Sequence, residues 1–396
     1  MIKKIDKNTK ILVAMSGGVD SSVAAALLVE AGFDVTGAYM INYEGERGTG
    51  NVEREDSVCW VPDYRDALRV AAKLGIPLLK LDFQKEYKAK VLDYMLAEYE
   101  KGNTPNPDVM CNKFIKFGVW LEKARELGFE KLATGHYAKL SQDTYHVTCN
   151  KKDKDVSEKE MVRDTCYVLC VPKDDNKDQT YFLHQLNQEQ LAQTLFPLGE
   201  YTKQEVRELA KKFDLPTAEK EESMGICFVG ELDMKEFLQK DLKKNPGKIV
   251  LEDNTIIGEH EGLAFYTIGQ RHGFEQQGGG EPLFVVDKNK EKNELVVGNK
   301  DSVLLNKQEI EVRDINWISG FIQRNRQISG EGGQMPIFPL KCMVRLRHRQ
   351  TLQEVIVSQN DSNFNLKFLN KQRAATPGQF AVFYKDGECL GGGVII

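Results

Sequence analysis

Short apolar runs alternate with amphipathic or Ala- and Leu-rich stretches over the first 135 residues. Residues 10–15 form an apolar run that stops at Ser-Gly-Gly, which predicts a buried strand. Residues 20–30 are followed by Gly32, which predicts a helix that ends there. Similar patterns predict strands over 33–40, 77–83 and 131–134, and helices from a cap at Asp63 to Gly75, over 85–100 and over 112–127. This repeated strand–helix order favours an α/β fold in which a parallel sheet carries helices on both faces.

The pattern changes after about residue 235. Residues 258–280 are rich in glycine, and short strand patterns separated by turns begin at Pro282. Such strands are predicted over 283–286, 294–297, 341–349, 353–358, 363–369 and 379–384. Residues 385–387 (Lys-Asp-Gly) are a hairpin-turn signal. A small β-barrel or sandwich fits this region.

These changes predict three domains: residues 1–228, a small central domain at 229–280 and a C-terminal β-barrel at 281–396. A length of 396 residues exceeds one ordinary core, which agrees with several domains. Residues 149–177 are charged, and we expect them to form a surface insertion.

The composition is that of an ordinary soluble protein, with 41% hydrophobic and 29% charged residues. The sequence contains no run of eighteen apolar residues, and residues 1–10 lack an apolar signal core, so we expect a cytoplasmic protein without a membrane span. A mature organelle protein stays an alternative. The net charge of −5 argues mildly against a protein coated with nucleic acid, although residues 341–349 are locally basic. That stretch fits a nucleic-acid contact and a solvated strand face equally well.

Eight cysteines in this length do not form a disulfide scaffold. The sequence has no C-x-x-C pair, so we predict no metal site. Most of these thiols are expected to pack as small buried side chains.

Residues 16–22 (S-G-G-V-D-S-S) lie between the first predicted strand and helix. The two glycines allow backbone N–H groups to approach an anion, and the following helix start adds further N–H groups and a positive dipole end. The loop lacks the lysine of a Walker motif and does not match G-x-G-x-x-G. Its position predicts a nucleotide-phosphate site, and the alternative is a tight turn without a ligand.

This loop resembles the PP-loop of the adenine-nucleotide α-hydrolase-like superfamily, whose enzymes cleave ATP between the α and β phosphates. Other motifs follow in order: G-N-T-P-N-P-D-V-M-C at 102–111, T-G-H-Y-A at 134–138, D-Q-T-Y-F-L at 178–183, F-P-L-G at 196–199, G-I-C-F-V-G at 225–230, Y-T-I-G-Q-R at 266–271, A-T-P-G-Q at 375–379 and L-G-G-G at 390–393. Together they resemble the tRNA-specific 2-thiouridylase family along the whole chain. The resemblance implies a Rossmann-like PP-loop ATPase domain, a small central domain and a C-terminal β-barrel that contacts tRNA.

The resemblance also implies roles for individual residues. ATP, with Mg²⁺, would be bound by Ala14, Met15, Ser16, Gly17, Gly18, Val19, Asp20, Ser21, Met40 and Gly135. The target base would face Asn106, Pro107 and Asp108. The tRNA would contact His136, Lys177, Asp178, Gln179, Arg347, His348 and Gln379. Cys111 would be the nucleophile and Cys227 the persulfide carrier, and the two would form a transient disulfide.

The implied reaction is the 2-thiolation of a wobble uridine. Adenylation of uracil O2 makes C2 electrophilic, a persulfide delivers sulfur, and a second thiol releases the product by thiol–disulfide exchange. Asp108, three residues before Cys111, is a candidate acid or base. The implied partners are tRNA and a persulfide relay protein or cysteine desulfurase, and we expect a monomer.

Purely structural roles stay open for several of these residues. His136 follows a predicted strand and fits a hydrogen-bonded structural histidine as well as a ligand contact. Asp178 and Gln179 fit helix caps, and Tyr181 and Phe182 fit core residues. Three rival functions also remain: a PP-loop enzyme that adenylates a small molecule, an RNA-binding module with a degenerate loop, and thiolation through an iron–sulfur cluster.

The chain departs from the family pattern at four places. These are K-E-E-S-M at 220–224, R-H-G at 271–273, the insertion at 149–177 and a block at 329–333. None of them touches the expected chemistry, so they bear on the choice of tRNA rather than on the reaction.

Overall fold

The computed structural model describes residues 5–43, 60–149, 160–221, 234–273, 281–318 and 337–396. The first domain is built on a five-stranded sheet of order β3-β2-β1-β4-β7. Its strands are β1 (Lys10–Ala14), β2 (Asp34–Ile41), β3 (Leu78–Asp82), β4 (Lys131–Ala133) and β7 (Thr194–Leu195). All pairings are parallel, which confirms the α/β prediction. Strand β7 was not predicted, since two residues carry no readable periodicity.

Helices surround this sheet and continue along the chain into the middle domain. They are α1 (Val19–Glu30), α2 (Val61–Leu74), α3 (Gln84–Tyr87), α4 (Asp93–Glu100), α5 (Pro107–Met110), α6 (Trp120–Glu126), α7 (Thr180–Leu183), α8 (Gln188–Ala192), α9 (Lys203–Lys212) and α10 (Met234–Asp241). Helix α2 begins after Trp60, so the predicted cap at Asp63 is wrong. The carboxylate of Asp63 instead accepts a hydrogen bond from Lys220.

The predicted helices over 85–100 and 112–127 are interrupted by π-helical turns. Lys88–Leu92 joins α3 to α4, and Cys111–Val119 joins α5 to α6. The second helical run begins earlier than predicted because the Asn106 side chain caps the N–H of Val109 and Pro107 occupies the first turn. The second π-helical turn begins at Cys111, and such turns are frequent at functional sites.

A four-stranded sheet of order β10-β11-β8-β9 forms the middle domain. Its strands are β8 (Gly247–Leu251), β9 (Ile256–His260), β10 (Phe284–Asn289) and β11 (Glu294–Gly298). Strand β11 pairs in parallel with β8. This sheet extends to Gly298, and it thus crosses the division placed at residue 280.

The C-terminal domain is a closed β-barrel, as predicted. Its six strands are β12 (Asn306–Trp317), β13 (Leu340–Arg345), β14 (Gln353–Asn360), β15 (Asn363–Arg373), β16 (Phe380–Lys385) and β17 (Glu388–Ile395). Pairing of β12 with both β15 and β17 closes the barrel. The turn between β16 and β17 has positive φ at Asp386 and Gly387, which confirms the hairpin signal.

A long hairpin of the first domain extends the barrel sheet. It consists of β5 (Lys139–Cys149) and β6 (Glu160–Cys170), and Cys170 pairs with Glu388 of β17. Residues 160–170 of the predicted surface insertion thus belong to a strand.

The first domain and the barrel share a hydrophobic core. One cluster joins Leu12 of the parallel sheet and Cys111 to Phe380 and Tyr384 of the barrel. The two domains are therefore held together by packing. Over the part of the chain that the structure describes, helices are too short or too polar to cross a membrane.

Candidate active site

The predicted nucleotide loop joins β1 to α1 and is shaped by its own serines. Ser21 Oγ lies 3.1 Å from the backbone nitrogen of Ser16 and donates to the carbonyl of Gly18 at 3.1 Å. Ser22 Oγ donates to the same carbonyl at 2.7 Å. The first N–H groups of a helix have no carbonyl four residues earlier in the helix, so those at the start of α1 are suited to bind an anion.

Two glycines let neighbouring elements close around this loop. Gly17 has φ +75°, and a Cβ added to it would lie 2.1 Å from the carbonyl oxygen of Asp63 in α2. A Cβ on Gly135 would lie 2.7 Å from the backbone nitrogen of Ser21. Gly135 thus lies against the loop. Met15 and Met40 are buried, and the role of all three residues in ATP binding stays a prediction.

Residues outside the motif bind the charged groups of the loop. Lys203 Nζ lies 2.7 Å from one carboxylate oxygen of Asp20, and the hydroxyl of Tyr137 donates to the same oxygen at 2.9 Å. Lys220 Nζ donates to the carbonyl of Gly17 at 3.1 Å and to Asp63 and Asp66 at 2.7 and 2.6 Å. Burial lowers the pKa of Lys220, but the two carboxylates outweigh it and leave the pKa raised.

The predicted target-base loop, residues 102–108, lies between the first domain and the barrel. Asn106 Nδ2 donates to Gln379 Oε1 at 3.3 Å, and Gln379 Nε2 donates to the carbonyls of Thr104 and Pro105 at 3.0 and 3.2 Å. A Cβ on Gly378 would lie 3.0 Å from the backbone of Thr104. The structure thus brings together Asn106 and Gln379, which are 273 residues apart.

Asp108 and Cys111 follow on the same helical run. Their spacing of three residues puts both side chains on one helix face. Asp108 is half-buried. Burial lowers the pKa of His348, and the charge of Asp108 opposes that lowering. Cys111 is 0% exposed in this structure. A substrate therefore reaches its sulfur only after covering side chains move.

A buried ion pair joins two stretches that were predicted to contact tRNA. Arg345 Nη1 donates to Asp178 Oδ2 at 2.6 Å, with side-chain exposures of 11% and 1%. The other oxygen of Asp178 accepts from the backbone and hydroxyl of Thr180 at 2.9 and 2.6 Å. The N-cap of α7 is Gln179, whose side chain makes no capping bond, and Asp178 lies one residue before it and accepts from the N–H of Thr180. The contact of Asp178 with tRNA stays a prediction.

Three further residues that were predicted to contact tRNA lie within three positions of this ion pair in the chain. Arg347 is exposed, Lys177 is half-buried, and the ring of His348 lies 4.6 Å from that of Phe182 between centroids. Burial, followed by the nearby Arg349, lowers the pKa of His348 to about 4. His348 is thus a neutral imidazole at physiological pH. Tyr181 is fully buried, which agrees with the core interpretation.

His136 and Gln179 both contact the segment that follows β4. Gln179 Oε1 accepts from the backbone N–H of Tyr137 at 2.8 Å. His136 is buried, and its Nδ1 lies 2.8 Å from the hydroxyl of Thr134. Burial holds the pKa of His136 well below its ordinary value, with Lys116 as a second cause. These contacts fit the structural alternative for His136, and its contact with tRNA also stays a prediction.

Sequence reasoning missed several residues of the site. They are Tyr137, Lys203 and Lys220 at the nucleotide loop and Arg345 at the ion pair. The absence of a lysine from the loop was the available signal, since phosphate charge must then be balanced from elsewhere. Arg345 lies within the basic stretch at 341–349. Cys227 lies outside the described residues, so its distance from Cys111 stays a prediction.

The N–H groups at the start of α1 are suited to bind phosphate groups, and the sequence predicts that these belong to ATP as a substrate. Asp20 is the acidic residue within the loop, and a carboxylate beside phosphate oxygens is a common environment for Mg²⁺. Within the described ranges, no group of three or more His, Cys, Asp or Glu side chains could hold a metal by itself.

Family models match the chain in three consecutive parts. Residues 9–231 match a model described as the tRNA methyl transferase HUP domain, and residues 235–299 match the tRNA methyl transferase PRC-barrel domain. Residues 307–395 match the aminomethyltransferase beta-barrel domain. Among solved structures, NMN synthetase from Francisella tularensis is 18% identical and covers 59% of this chain and 74% of its own, at a TM-score of 0.34.

Full-length relatives resemble the whole chain. The tRNA-specific 2-thiouridylase MnmA of Bacillus velezensis is 42% identical, covering 100% of this chain and 96% of the relative. Those of Ruthia magnifica and Bacillus subtilis are 42% and 41% identical, also over 100% of this chain and over 99% and 96% of their own lengths. With its nucleotide loop and cysteine-bearing helix in place, the chain belongs to the tRNA-specific 2-thiouridylase family.

Proposed function

We propose that this protein is an ATP-dependent tRNA-uridine 2-sulfurtransferase that converts a wobble uridine to 2-thiouridine. The observation that carries the proposal is the pairing of an anion-binding loop with a target-base loop held between two domains. Contacts through Asp20, Tyr137 and Gln179 link the first loop to the region of the tRNA residues. Methyl transfer, which the names of two family models mention, would leave the phosphate loop without a use.

The first step activates the base. Uracil O2 attacks the α-phosphorus of ATP, and the bond to the β-phosphate breaks as pyrophosphate leaves. The N–H groups at the start of α1 hold the phosphates, and Lys203 and Lys220 keep nearby carboxylates neutralised. Mg²⁺, when bound, would add charge neutralisation at the phosphates. The product carries AMP on O2, which is a good leaving group.

The second step transfers sulfur. The terminal sulfur of a persulfide on Cys227 attacks C2, and AMP departs with the original oxygen. The base is then bound to Cys227 through a disulfide. The thiolate of Cys111 attacks the Cys227 sulfur, which forms a Cys111–Cys227 disulfide and releases 2-thiouridine. A reductant and a new persulfide are needed before the next cycle.

Asp108 is the proposed acid or base of this sequence. It lies one helical turn before Cys111 and near His348. From this position it could accept the thiol proton of Cys111 once that side chain is uncovered. The burial of Cys111 implies that tRNA binding opens the site before the sulfur step.

Partners and location follow from the same proposal. The substrates are tRNA and ATP, and a persulfide relay protein or cysteine desulfurase supplies the sulfur. Strand β6, which holds residues 160–170 of the insertion, reaches the barrel at Cys170, and we propose that it bears on one of these partners. A cytoplasmic monomer remains our expectation.

The test is a reaction of purified protein with ATP, Mg²⁺, a persulfide source and unmodified tRNA. Digested nucleosides are analysed by mass spectrometry for uridine in which sulfur replaces oxygen. The control tRNA carries cytidine at the wobble position. We expect ATP-dependent 2-thiouridine with the first tRNA and none with the control.

Other outcomes would identify the rivals. Pyrophosphate release on a small molecule without tRNA would show a different PP-loop enzyme. RNA binding without ATP turnover would show a binding module. Activity that required protein-bound iron would show the cluster mechanism, whereas a colourless, iron-free, active preparation would exclude it.

A further inference from the structure

The target-base loop is attached to the middle domain as well as to the barrel. Lys288 Nζ in β10 donates to the carbonyl of Gly102 at 2.9 Å. Lys290 Nζ donates to Asn103 Oδ1 at 3.1 Å, and the hydroxyls of Thr104 and Thr267 lie 3.4 Å apart. Gly102 ends α4 in the left-handed conformation, with φ +74°. The first bond therefore fixes the point at which the loop leaves its helix.

Lys288 is an unusual residue for such a contact because it is buried. It is 9% exposed, and no carboxylate of the described residues forms an ion pair with it. Burial, with the nearby Lys290 as a second cause, lowers the pKa of Lys288 to about 7. Its ammonium group has a neutral carbonyl as its bonding partner.

Stability alone does not account for this lysine. Moving an ammonium group out of water is costly unless a counter-ion compensates it, and one carbonyl oxygen offsets only part of that cost. A methionine has a similar length and would fill the same space without a buried charge. The site therefore retains a residue that costs folding free energy, as functional positions often do.

The loop beyond Gly102 leads directly to the proposed chemistry. Thr104 is held on its other side by the barrel, where its N–H donates to the carbonyl of Pro377 at 2.8 Å. Two residues later Asn106 caps the helical run that carries Asp108 and Cys111. A change in the position of Gly102 would be transmitted along a short chain to those side chains.

We propose that Lys288 is a positioning residue through which the middle domain aligns the target-base loop for thiolation. Lys288 acts on Gly102 and not on the substrate. The middle domain is then a third support of the active site, beside the ATP domain and the barrel. This inference rests on the proposed function, since it assigns the loop to the target base.

The test compares Lys288→Met with Lys292→Met, a change at an exposed lysine of the same hairpin. Single-turnover thiolation, tRNA affinity, ATP affinity and melting temperature are measured for both. For Lys288→Met we expect thiolation to slow by about tenfold, because the loop loses roughly one hydrogen bond to a charged group. We expect its melting temperature to change little, because the removal of a buried charge offsets the loss of its bond to Gly102. Both affinities should change less than about twofold. Lys292→Met should match the wild type in every measurement.

A second readout does not depend on thiolation. Hydrogen exchange followed by mass spectrometry should show faster exchange over residues 102–108 in Lys288→Met, with residues 12–20 unchanged. If Lys288→Met does not fold, Lys288→Gln provides a neutral polar replacement with the same expected changes. Unaltered thiolation, or a fall in melting temperature that accounts for the lost activity, would overturn the positioning role. A wild-type protein that makes no 2-thiouridine would instead refute the proposed function.

Discussion

The nucleotide loop and the target-base loop are built in opposite ways. The shape of the nucleotide loop comes mainly from local bonds, in which Ser21 and Ser22 bind the backbone of residues 16–18, and Lys220 adds one bond from a distant part of the chain. The target-base loop is assembled from distant parts of the chain, with Gln379 of the barrel on one side and Lys288 of the middle domain on the other. ATP binding should therefore survive changes at the domain contacts that disturb tRNA.

The largest expected effect removes the sulfur chemistry and leaves both loops intact. Cys227→Ser should abolish 2-thiouridine formation while ATP and tRNA binding are retained, because a hydroxyl cannot carry a persulfide. Nucleoside mass spectrometry and binding titrations measure the two effects. Cys170→Ser, at a half-buried packing cysteine, is the control. Full thiolation by Cys227→Ser in a single turnover would disprove the persulfide role.

The next largest effect is expected at the ion pair between Asp178 and Arg345, which joins the first domain to the barrel. Asp178→Asn or Arg345→Met should each lower the free energy of unfolding by about 3–5 kcal/mol, because one buried charge loses its partner. The double variant should lose less than the sum of the two. Urea unfolding gives these values, and titrations should show weakened tRNA binding with near-normal ATP affinity. An additive double variant would show that the 2.6 Å contact carries no coupling.

Two glycine substitutions test the nucleotide loop, where the change should affect ATP binding and not tRNA binding. Gly17→Ala and Gly75→Ala both place alanine at positive φ, but only the first meets another backbone, at 2.1 Å. Since overpacking costs about 1–3 kcal/mol, Gly17→Ala should weaken ATP binding by at least roughly tenfold. Isothermal titration with ATP tests this, and tRNA binding should not change. Equal ATP affinities in the two variants would remove the close contact with Asp63 from the account.

Lys220→Met should have a smaller effect on the same loop. The charge-assisted bond to the carbonyl of Gly17 is worth about 1.5 kcal/mol, so we expect a roughly tenfold loss of ATP affinity or less. The control is Lys73→Met, which breaks an exposed ion pair with Asp214 at the other end of α2. Identical ATP affinities in both variants would show that the bond from Lys220 to Gly17 does not contribute to ATP binding.

The smallest expected effect concerns the tRNA surface. Replacing Arg347 and His348 together by Ala should weaken tRNA binding and flatten its dependence on salt by about one unit for each lost phosphate contact. Because the pKa of His348 is lowered to about 4, its neutral ring adds little to that slope, and most of the change should come from Arg347. Filter binding over a salt series measures the slope. An unchanged slope would exclude both residues from the phosphate contacts.

The same contrast explains how far the sequence could be interpreted. The parallel sheet and the loop at 16–22 were predictable, because periodicity and a strand–loop–helix context are local signals. The strands of the C-terminal domain were predictable too, but the choice of a barrel over a sandwich came from the family resemblance. The cap at Asp63 was wrong, since Lys220 binds that carboxylate from 157 residues away. Arg345, Lys220 and Lys288 were missed for the same reason: each acquires its role from a partner distant in the chain. The pairing of Asn106 with Gln379 could be expected only from the family resemblance.

The most direct test of the account follows the oxygen that leaves the base. A tRNA carrying oxygen-18 at O2 of the wobble uridine is thiolated in one turnover, and the released AMP is analysed by mass spectrometry. The account predicts that AMP carries the label, because O2 attacks the α-phosphorus and departs with it. Unlabelled AMP, with the label in water, would contradict adenylation of the base and with it the proposed use of the nucleotide loop.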